Sequence, residues 1–412
     1  MSSNDPPTPD ALKARLQQAI GVFRTHASPD QQNTLDLMLD QAHDQATDLV
    51  TGASDNSPTH HILANVRSLL ENTAALPEPG GGLAVSTVSE EGDLVGTQQY
   101  EALDLRWAES AACWLEHFPP NQKAKFPNNP PTIQIDNEVT IAIVGDWGTG
   151  VGYRTDDQID PAQKVANAVK QLDPDYTVHL GDVYYSGTKE QENINFLGVW
   201  RSGKKGTFTL NSNHEMYSGA LGYFLTTLAD PRFGAQNGSS YFVLQNDYWL
   251  VIALDTAFYA DEMGLYQHGH LDPTQCAFLS NLAANAGTRQ ILLLTHHNGL
   301  SVDGGTPSAL WQQIAPLFAP RNVWWYWGHL HAGVVYSQQA NMRGRCCGHG
   351  AVPCGAPQGL DENPAVLWYE NTPVVDLLYQ GRVHNGFALL SLNNATLTET
   401  FVNEDGLNVY SG

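Results

Sequence analysis

The stretch Val139–Gly150, VTIAIVGDWGTG, decides the fold class of this chain. Its first half, Thr140–Val144, is a short apolar run, which is typical of a central strand covered on both faces. The run ends at Gly145-Asp146, where glycine lets the backbone turn sharply. Because open α/β sheets place their chemistry at the carboxyl ends of strands, Asp146 is predicted to lie at a functional site.

A strand-end aspartate alone is common in α/β proteins, but here the same arrangement recurs along the chain. Four further apolar runs predict strands, namely Tyr176–Leu180, Phe208–Leu210, Gln290–Leu294 and Asn322–Trp327. The residues that follow the five strands are Asp146, Asp182, Asn213, His296 and the pair His329 and His331. Carboxylate, amide and imidazole groups together favour hard or borderline divalent and trivalent ions. The sequence therefore predicts a metal site at the strand ends.

Helix starts are marked by an N-capping residue followed by proline. Within residues 139–412 these pairs are Asp160-Pro161, Asp272-Pro273 and Thr306-Pro307. They alternate with the strands, and two closing antiparallel strands are predicted over Phe387–Leu392 and Thr396–Phe401. This alternation predicts an α/β catalytic domain over residues 139–412.

The first 138 residues predict two further units. Residues 1–76 predict a helical module with helices over Pro9–Thr25, Asp30–Val50 and Thr59–Ala75. Residues 77–138 predict a linker, which starts in Leu76–Gly82, and one helix over Tyr100–Phe118. We expect the N-terminal helices to be a packing or dimerising appendage, so that the chain could oligomerise through them.

Composition limits the classes of partner. The chain has 412 residues and a formal net charge of −23. That charge repels nucleic acid and anionic membranes, so neither is expected as a partner. A phosphorylated small-molecule substrate would be repelled as well, unless bound cations reverse the local field.

The cellular compartment is predicted from the N-terminal segment, from the length of apolar runs and from the cysteines. Met1–Asp10 is polar and proline-rich rather than signal-like, and no apolar run is long enough to span a membrane. The five cysteines are an odd number, and Cys346 and Cys347 are adjacent, which suits reduced thiols. We expect a cytoplasmic protein, with an export signal removed from the native gene product as the open alternative.

The strand-end motifs resemble those of the calcineurin-like metallophosphoesterases, and most of all the purple acid phosphatase branch. The motifs are Gly145-Asp146-Trp147-Gly148, Gly181-Asp182-Val183-Tyr184-Tyr185, Asn213-His214-Glu215, Thr295-His296-His297 and Gly328-His329-Leu330-His331, in the family's order. The resemblance covers about Val139–Ser337 and the closing strands. It implies two facing mixed β-sheets flanked by helices, an α/β (α+β) sandwich, with the helical N-terminal appendage beside it.

The resemblance also implies a set of metal ligands. Most of the superfamily has Asp-x-His in the first motif, and that histidine is a metal ligand. Position 148 is glycine here. The purple branch replaces the lost histidine with a tyrosine in the second motif, and Tyr185 matches that position. Tyr184 is then the aromatic residue packed beside the site. The implied first metal is bound by Asp146, Asp182, Tyr185 and His331, and the second by Asp182, Asn213, His296 and His329. A tyrosinate ligand implies Fe(III), paired with Fe, Zn or Mn(II).

Two histidines have implied catalytic roles. His214 matches the family's general acid, which protonates the leaving group while a metal-bound hydroxide attacks the phosphate. His297 is expected either to contact substrate oxygens or to orient His296 by a hydrogen bond. The motif departs from the family at Ser212, where the family has glycine, so the Asn213 loop is expected to be shifted.

The expected activity is hydrolysis of phosphomonoesters by a binuclear metal centre. The alternatives are a phosphodiesterase, for example for cyclic nucleotides, and a catalytically silent metal-binding or interaction protein. The latter is disfavoured because a silent relative has no need of His214. After the histidine pair, a cluster predicts either an arginine at the phosphate rim or a second metal site: Arg343, Arg345, Cys346, Cys347, His349 and Cys354.

Overall fold

The structure, a computed structural model, describes residues 8–51, 61–71, 82–83, 86–88, 94–96, 98–150 and 159–412. The N-terminal helices are α1 (Pro9–His26), α2 (Pro29–Thr51) and α3 (His61–Glu71). Ser28 begins α2 with a reciprocal capping box, because its Oγ accepts from the Gln31 amide and its amide donates to the Gln31 side chain. The predicted start of the third helix at Thr59 and most of the linker over Leu76–Gly82 lie outside the described residues.

The segment before the first large strand holds three short strands and one helix. They are β1 (Gly82–Leu83), β2 (Ser86–Val88), β3 (Leu94–Gly96) and α4 (Trp107–His117). The helix starts later than the predicted Tyr100, because the Asp104 carboxylate accepts from the backbone amides of Tyr100 and Arg106. These side-chain bonds stabilise turns in place of a helix. We call residues 98–106 the front turn.

The remaining elements follow in chain order. The strands are β4 (Thr132–Gln134), β5 (Glu138–Val144), β6 (Tyr176–His179), β7 (Gly206–Thr209), β8 (Phe242–Gln245), β9 (Trp249–Ala253), β10 (Gln290–Thr295), β11 (Val323–Trp327), β12 (Gly333–Tyr336), β13 (Met342–Cys347), β14 (Val366–Tyr369), β15 (Tyr379–Gln380), β16 (Gly386–Asn393), β17 (Thr396–Asn403) and β18 (Asn408–Ser411). The helices are α5 (Pro161–Leu172), α6 (Lys189–Gln191, followed by a π-helical turn), α7 (Asn213–Tyr217), α8 (Pro273–Ala284) and α9 (Ala309–Phe318).

Two large sheets organise the described chain. The six-stranded sheet has the order β18-β17-β16-β5-β6-β7, and the eight-stranded sheet has the order β14-β12-β13-β11-β10-β9-β8-β4. In the first sheet β5 pairs in parallel with β6 and antiparallel with β16. In the second, β9, β10, β11 and β13 are parallel neighbours. Both sheets are therefore mixed.

The sheets face each other across a shared apolar core, with helices outside. Ile141 and Ile143 of β5 enter the same core as Leu292 and Leu294 of β10. The alternate β5 residue Val144 joins the outer core that contains α5 and the N-terminal helices. Helices α8 and α9 cover the outer face of the eight-stranded sheet. The predicted fold class, two facing mixed sheets flanked by helices with an N-terminal helical region, is confirmed.

Two details differ from the sequence prediction. Helix α9 begins at Ala309 rather than after Thr306-Pro307, because Ser308 is the N-cap and its Oγ accepts from the Trp311 amide at 3.1 Å. Strands β12, β13 and β14 were not predicted. In the described ranges, no helix is long and apolar enough to cross a bilayer. The division of the chain at residues 76 and 138 stays a prediction.

Candidate metal centre

Five loops at the carboxyl ends of strands bring the predicted ligands together. Asp146 follows β5, Asp182 follows β6, Asn213 begins α7, His296 follows β10, and His329 and His331 lie between β11 and β12. Ligand atoms of Asp146, Asp182 and His296 all lie within 4.8 Å of one another, and so do those of His296, His297 and His329. The two groups share His296, and each of them could hold a metal ion.

In one half of the candidate centre, the lone pairs of three side-chain atoms face one another: His296 Nε2, Asn213 Oδ1 and Asp182 Oδ1. His296 Nδ1 lies 3.0 Å from the Leu180 carbonyl, which only accepts, so Nδ1 carries the proton. Its Nε2 lies 2.8 Å from Asn213 Oδ1 and 3.3 Å from Asp182 Oδ1. The Asn213 amide nitrogen donates elsewhere, to the Tyr217 hydroxyl at 3.0 Å. Burial lowers the pKa of His296, which favours the neutral ring. A cation bound between the three lone pairs would offset their mutual repulsion.

The other half contains Asp146, His331 and Tyr184. Asp146 Oδ2 accepts from the His329 amide at 2.8 Å, whereas Oδ1 accepts no hydrogen bond from any described residue. His331 Nε2 lies 3.6 Å from that orphaned oxygen. The Tyr184 hydroxyl lies 2.8 Å from His331 Nε2 and 3.1 Å from Asp182 Oδ2. A buried carboxylate oxygen without a donor fits a metal ligand, so this half also suits a cation.

The two aspartates have opposite electrostatic environments. Burial and the neighbouring Asp182 raise the pKa of Asp146 well above its usual range. Burial also opposes the charge of Asp182, but the imidazoles of His214 and His296 outweigh it and lower its pKa. Without a cation, two buried carboxylates at this distance cannot both be charged. Bound cations would allow both to ionise, which fits the donor set.

The ligand prediction for Tyr185 differs from the structure. The Tyr185 hydroxyl donates to Asp104 Oδ2 at 2.6 Å, away from the ligands, and its ring packs against Tyr100 and Trp107. Tyr184, which was predicted to be the packing residue, has its hydroxyl among the ligands instead. The physical reason is the front turn, because Asp104 supplies a buried acceptor that the strand-end motifs do not contain.

Gly148 occupies its position for steric reasons. A Cβ atom there would collide with the Asp182 carbonyl oxygen and lie 2.7 Å from Val183 Cα. The first and second motifs touch at this point through an isolated bridge between Gly148 and Val183. No histidine can replace this glycine without moving the Asp182 loop, so the tyrosine pair is the nearest source of a further ligand.

His214, the predicted general acid, lies beside the ligand cluster. Its Nδ1 donates to the Tyr185 carbonyl at 2.8 Å, so Nε2 faces the centre, 3.7 Å from Asp182 Oδ2. The ring packs against Trp107 and Tyr184 at centroid distances of 4.6 and 4.4 Å. Burial lowers the pKa of His214 to about 4. The orientation of the His214 ring is thus fixed by the Tyr184-Tyr185 loop and by Trp107 of α4.

His297 is not hydrogen-bonded to His296, as one of its two expected roles requires. Its Nε2 donates to the Tyr266 carbonyl at 2.8 Å, and its Nδ1 accepts from the Thr256 hydroxyl at 2.8 Å. The ring packs beside that of His296 at a centroid distance of 5.0 Å, and the expected contact with substrate oxygens stays a prediction. The structure makes His297 a link between the loops that hold Thr256 and Tyr266.

Ser212 has an ordinary backbone conformation at the start of α7, and the expected shift of the Asn213 loop stays a prediction. Ser212 is the N-cap of α7 with an extended backbone (φ −137°), and its Oγ donates to Asp182 Oδ1 at 2.5 Å. The same oxygen also contacts the Glu215 carboxyl group. Because burial raises the pKa of Glu215 to about 8, that group is protonated and donates to Ser212. The serine thus supports the Asp182 carboxylate.

The front turn and the start of α4 contribute residues around the candidate site that the sequence did not single out. Glu101 lies 3.4 Å from His331 Nδ1, Asp104 holds Tyr185, and Trp107 at the start of α4 covers His214. The sequence pattern that could have identified them is weak. Glu101 and Asp104 lie in the run Tyr100–Trp107, whose aromatic and apolar residues are equally typical of an amphipathic helix.

The cluster after the histidine pair is structural. Arg345 is buried and pairs with Glu399 at 2.6 Å, so it does not reach a phosphate rim. Arg343 packs over the Trp324 ring, with its guanidinium carbon 4.8 Å from the ring centroid. Cys346, Cys347 and Cys354 are buried free cysteines, and they lie outside the groups that could hold a metal among the described residues.

Comparison with known families identifies the central part of the chain. Residues 139–333 match the calcineurin-like phosphoesterase family. This range contains all the strand-end ligands, so the chain contains a calcineurin-like metallophosphoesterase domain. No curated protein matches the chain.

Solved structures with a similar fold include three with low sequence identity. GAP50, described as the anchor in the inner membrane complex of Plasmodium, is 17% identical, with a TM-score of 0.45, over 67% of this chain and 88% of that one. A dimetal phosphatase from Danio rerio is 10% identical, with a TM-score of 0.42, over 65% and 96%. PhoD is 12% identical, with a TM-score of 0.43, over 70% and 69%. What bears on function is the family match together with the ligand cluster.

Proposed function

We propose that this chain is a binuclear-metal phosphoesterase that hydrolyses phosphomonoesters. The observation that carries the proposal is the set of unprotonated ligand atoms around Asp182, in a domain of the calcineurin-like family. One cation would be held by Asp146, Tyr184 and His331, the other by Asn213, His296 and His329, with Asp182 between them. The purple acid phosphatase branch and the iron assignment belong to this proposal.

The limited exposure of the site supports a monoester substrate. Asp146, Asp182, His214 and His296 are at most 1% exposed, whereas His329 and His331 are partly exposed. In the described part of the chain, a substrate would therefore reach the site from the side of His329 and His331. A terminal phosphoryl group has one substituent and fits such an approach better than a diester, which has substituents on two sides.

The residues of the chain divide the work of catalysis. When bound, the metal ions supply Lewis-acid stabilisation of negative charge on the phosphoryl oxygens. His214 donates a proton from Nε2 to the leaving-group oxygen in its imidazolium form, since Nδ1–H is fixed on the Tyr185 carbonyl; because burial lowers the pKa of the ring to about 4, this form is populated at acidic pH. Trp107 and Tyr184 cover both sides of the imidazole and exclude water from it. Ser212 holds the Asp182 carboxylate in position by a hydrogen bond to Oδ1.

The experiment that tests this function is a turnover screen. Metal-loaded protein is assayed with alkyl and aryl phosphomonoesters and with cyclic and linear phosphodiesters. We expect turnover of the monoesters to exceed that of the diesters. Faster turnover of a diester would make the chain a phosphodiesterase, and absence of turnover with both metals bound would make it a metal-binding protein without this activity.

Metal content gives the first prediction. Purified protein should contain about two metal ions per chain, because two groups of ligands converge on Asp182. Elemental analysis after growth in medium supplemented with iron and zinc measures this number. His296→Ala should lose metal, whereas His26→Ala, on the exposed surface of α1, should not. A wild-type content well below one ion per chain would contradict the site.

The tyrosine pair gives the second prediction. If the phenol beside His331 binds Fe(III), the oxidised protein should be coloured by charge transfer from phenolate to iron. Tyr184→Phe should remove the colour, and the matched variant Tyr185→Phe should keep it, because only the Tyr184 hydroxyl lies among the ligands. Absorption spectra of the iron-loaded variants measure the effect. Loss of colour in Tyr185→Phe alone would reverse the assignment, and colourless active protein would exclude the iron–tyrosinate centre.

A further inference from the structure

The front turn places one acidic side chain against a metal ligand. Glu101 precedes the family-matched range 139–333, yet it is only 1% exposed. Its Oε1 lies 3.4 Å from His331 Nδ1, and among the described residues this oxygen accepts no conventional hydrogen bond. Burying a carboxylate is costly unless a donor or cation faces it, so the His331 ring is the group that justifies this position.

The backbone around Glu101 fixes the direction of its side chain. The Glu101 amide donates to the Gln98 carbonyl at 2.9 Å. The Glu101 carbonyl accepts from the Asp104 amide at 3.0 Å and from the Trp107 indole nitrogen at 2.6 Å. Trp107 in turn packs on His214. The front turn is therefore held in place by the same helix that covers the general acid.

The contact determines which nitrogen of His331 carries a proton. A carboxylate accepts only, so Glu101 favours the form of His331 that carries a proton on Nδ1. The lone pair is then on Nε2, which lies 2.8 Å from the Tyr184 hydroxyl and 3.6 Å from Asp146 Oδ1. This is the tautomer and the ring orientation that a metal ligand needs. A carboxylate behind a ligating histidine also raises the basicity of the ligand.

We propose that Glu101 is a positioning residue that holds His331 as a metal ligand, so that the front turn, outside the family-matched range, is a working part of the metal centre. The inference rests on the proposed metal centre but not on turnover. It adds a residue that no strand-end motif contains. It also gives a chemical reason for the close packing of residues 98–107 on the strand-end loops.

The test is metal affinity measured by competition with a chelator, in the full chain. Glu101→Gln keeps the shape of the side chain and removes its charge, and we expect metal affinity to fall by about 10–100-fold. The matched control is Glu109→Gln on α4, whose carboxylate accepts from Gln191 and lies near Arg15, away from His331. The control should keep wild-type affinity. Circular dichroism and thermal melting check that both variants fold.

A double-mutant cycle separates positioning from a general structural effect. In a His331→Asn background, Glu101→Gln should reduce metal affinity no further, because the residue acts through the histidine. Equal affinity in wild type, Glu101→Gln and Glu109→Gln would overturn the proposal, and so would a full additive loss in the His331→Asn background. If the wild type binds two metals and hydrolyses no ester, the proposed function fails while the affinity difference still decides the role of Glu101.

Discussion

Asp182→Asn should reduce kcat/KM on the order of 10³-fold or more, both for an alkyl phosphate and for a nitrophenyl phosphate. Asparagine keeps the shape of the side chain, but it has no charge and presents an NH2 group to the centre. The carboxylate now accepts from Ser212 at 2.5 Å and from Tyr184 at 3.1 Å, and its other neighbour is His296 at 3.3 Å. The amide cannot neutralise two cations, so both substrates lose the same stabilisation.

Asp255→Asn is the matched control for that variant. Asp255 also follows a strand and is fully buried, but it accepts from the Ala257 and Phe258 amides and from Asn211. It should keep both metals and lower the melting temperature. Kinetics and elemental analysis of the two variants decide the matter. If Asp182→Asn retained two tightly bound metals and near wild-type turnover, Asp182 would not be the shared ligand.

His214→Ala should retain both metals and lose activity according to the leaving group. Protonation of a poor leaving group contributes about 10²–10⁴-fold, and an activated leaving group needs little of it. The loss should therefore be in this range for the alkyl phosphate and far smaller for the nitrophenyl ester. The geometry supports this selectivity, because the ring is aimed by the Tyr185 carbonyl and is not itself among the converging ligands.

His297→Ala is the comparison variant for His214. Its ring nitrogens are bonded to Tyr266 and Thr256, so any loss of activity should be equal for the two substrates. Steady-state kinetics with both esters, together with metal content, measure the difference. An equal slowing of both substrates in His214→Ala, or loss of metal from it, would mean that His214 is structural.

The central sheet and the convergence of the ligand types could be predicted because local patterns decide them. The apolar run of β5 is buried on both faces of the sheet, because Ile141 and Ile143 lie in one core and Ala142 and Val144 in another. Such a run is typical of a central strand. Asp160 and Asp272 cap α5 and α8 as predicted, each accepting a hydrogen bond within the first turn. Parallel neighbours in a sheet end at the same edge, which is why Asp146 and Asp182 meet.

The choice between the two tyrosines could not be predicted, because it depends on a partner distant in sequence. Asp104 accepts from Tyr185, and Glu101 faces His331, but the run that contains them has the pattern of a helix. Only the competition of the Asp104 side chain for backbone amides shows that the helix starts later. Strands β12 to β14 were missed because residues such as Arg345 look functional, whereas burial with Glu399 makes them structural.

The pairing of β5 has a consequence for synthesis of the protein. One edge of β5 is covered by β6, which follows it closely, but the other is covered by β16, which begins only at Gly386. Until the ribosome has produced that strand, the nascent sheet has an open edge at its central strand, where it could pair with another chain. The late closure also gives the fold many contacts between distant parts of the sequence, which slows folding. Asp146, at the end of β5, is therefore held in a complete sheet only after β16 has been synthesised.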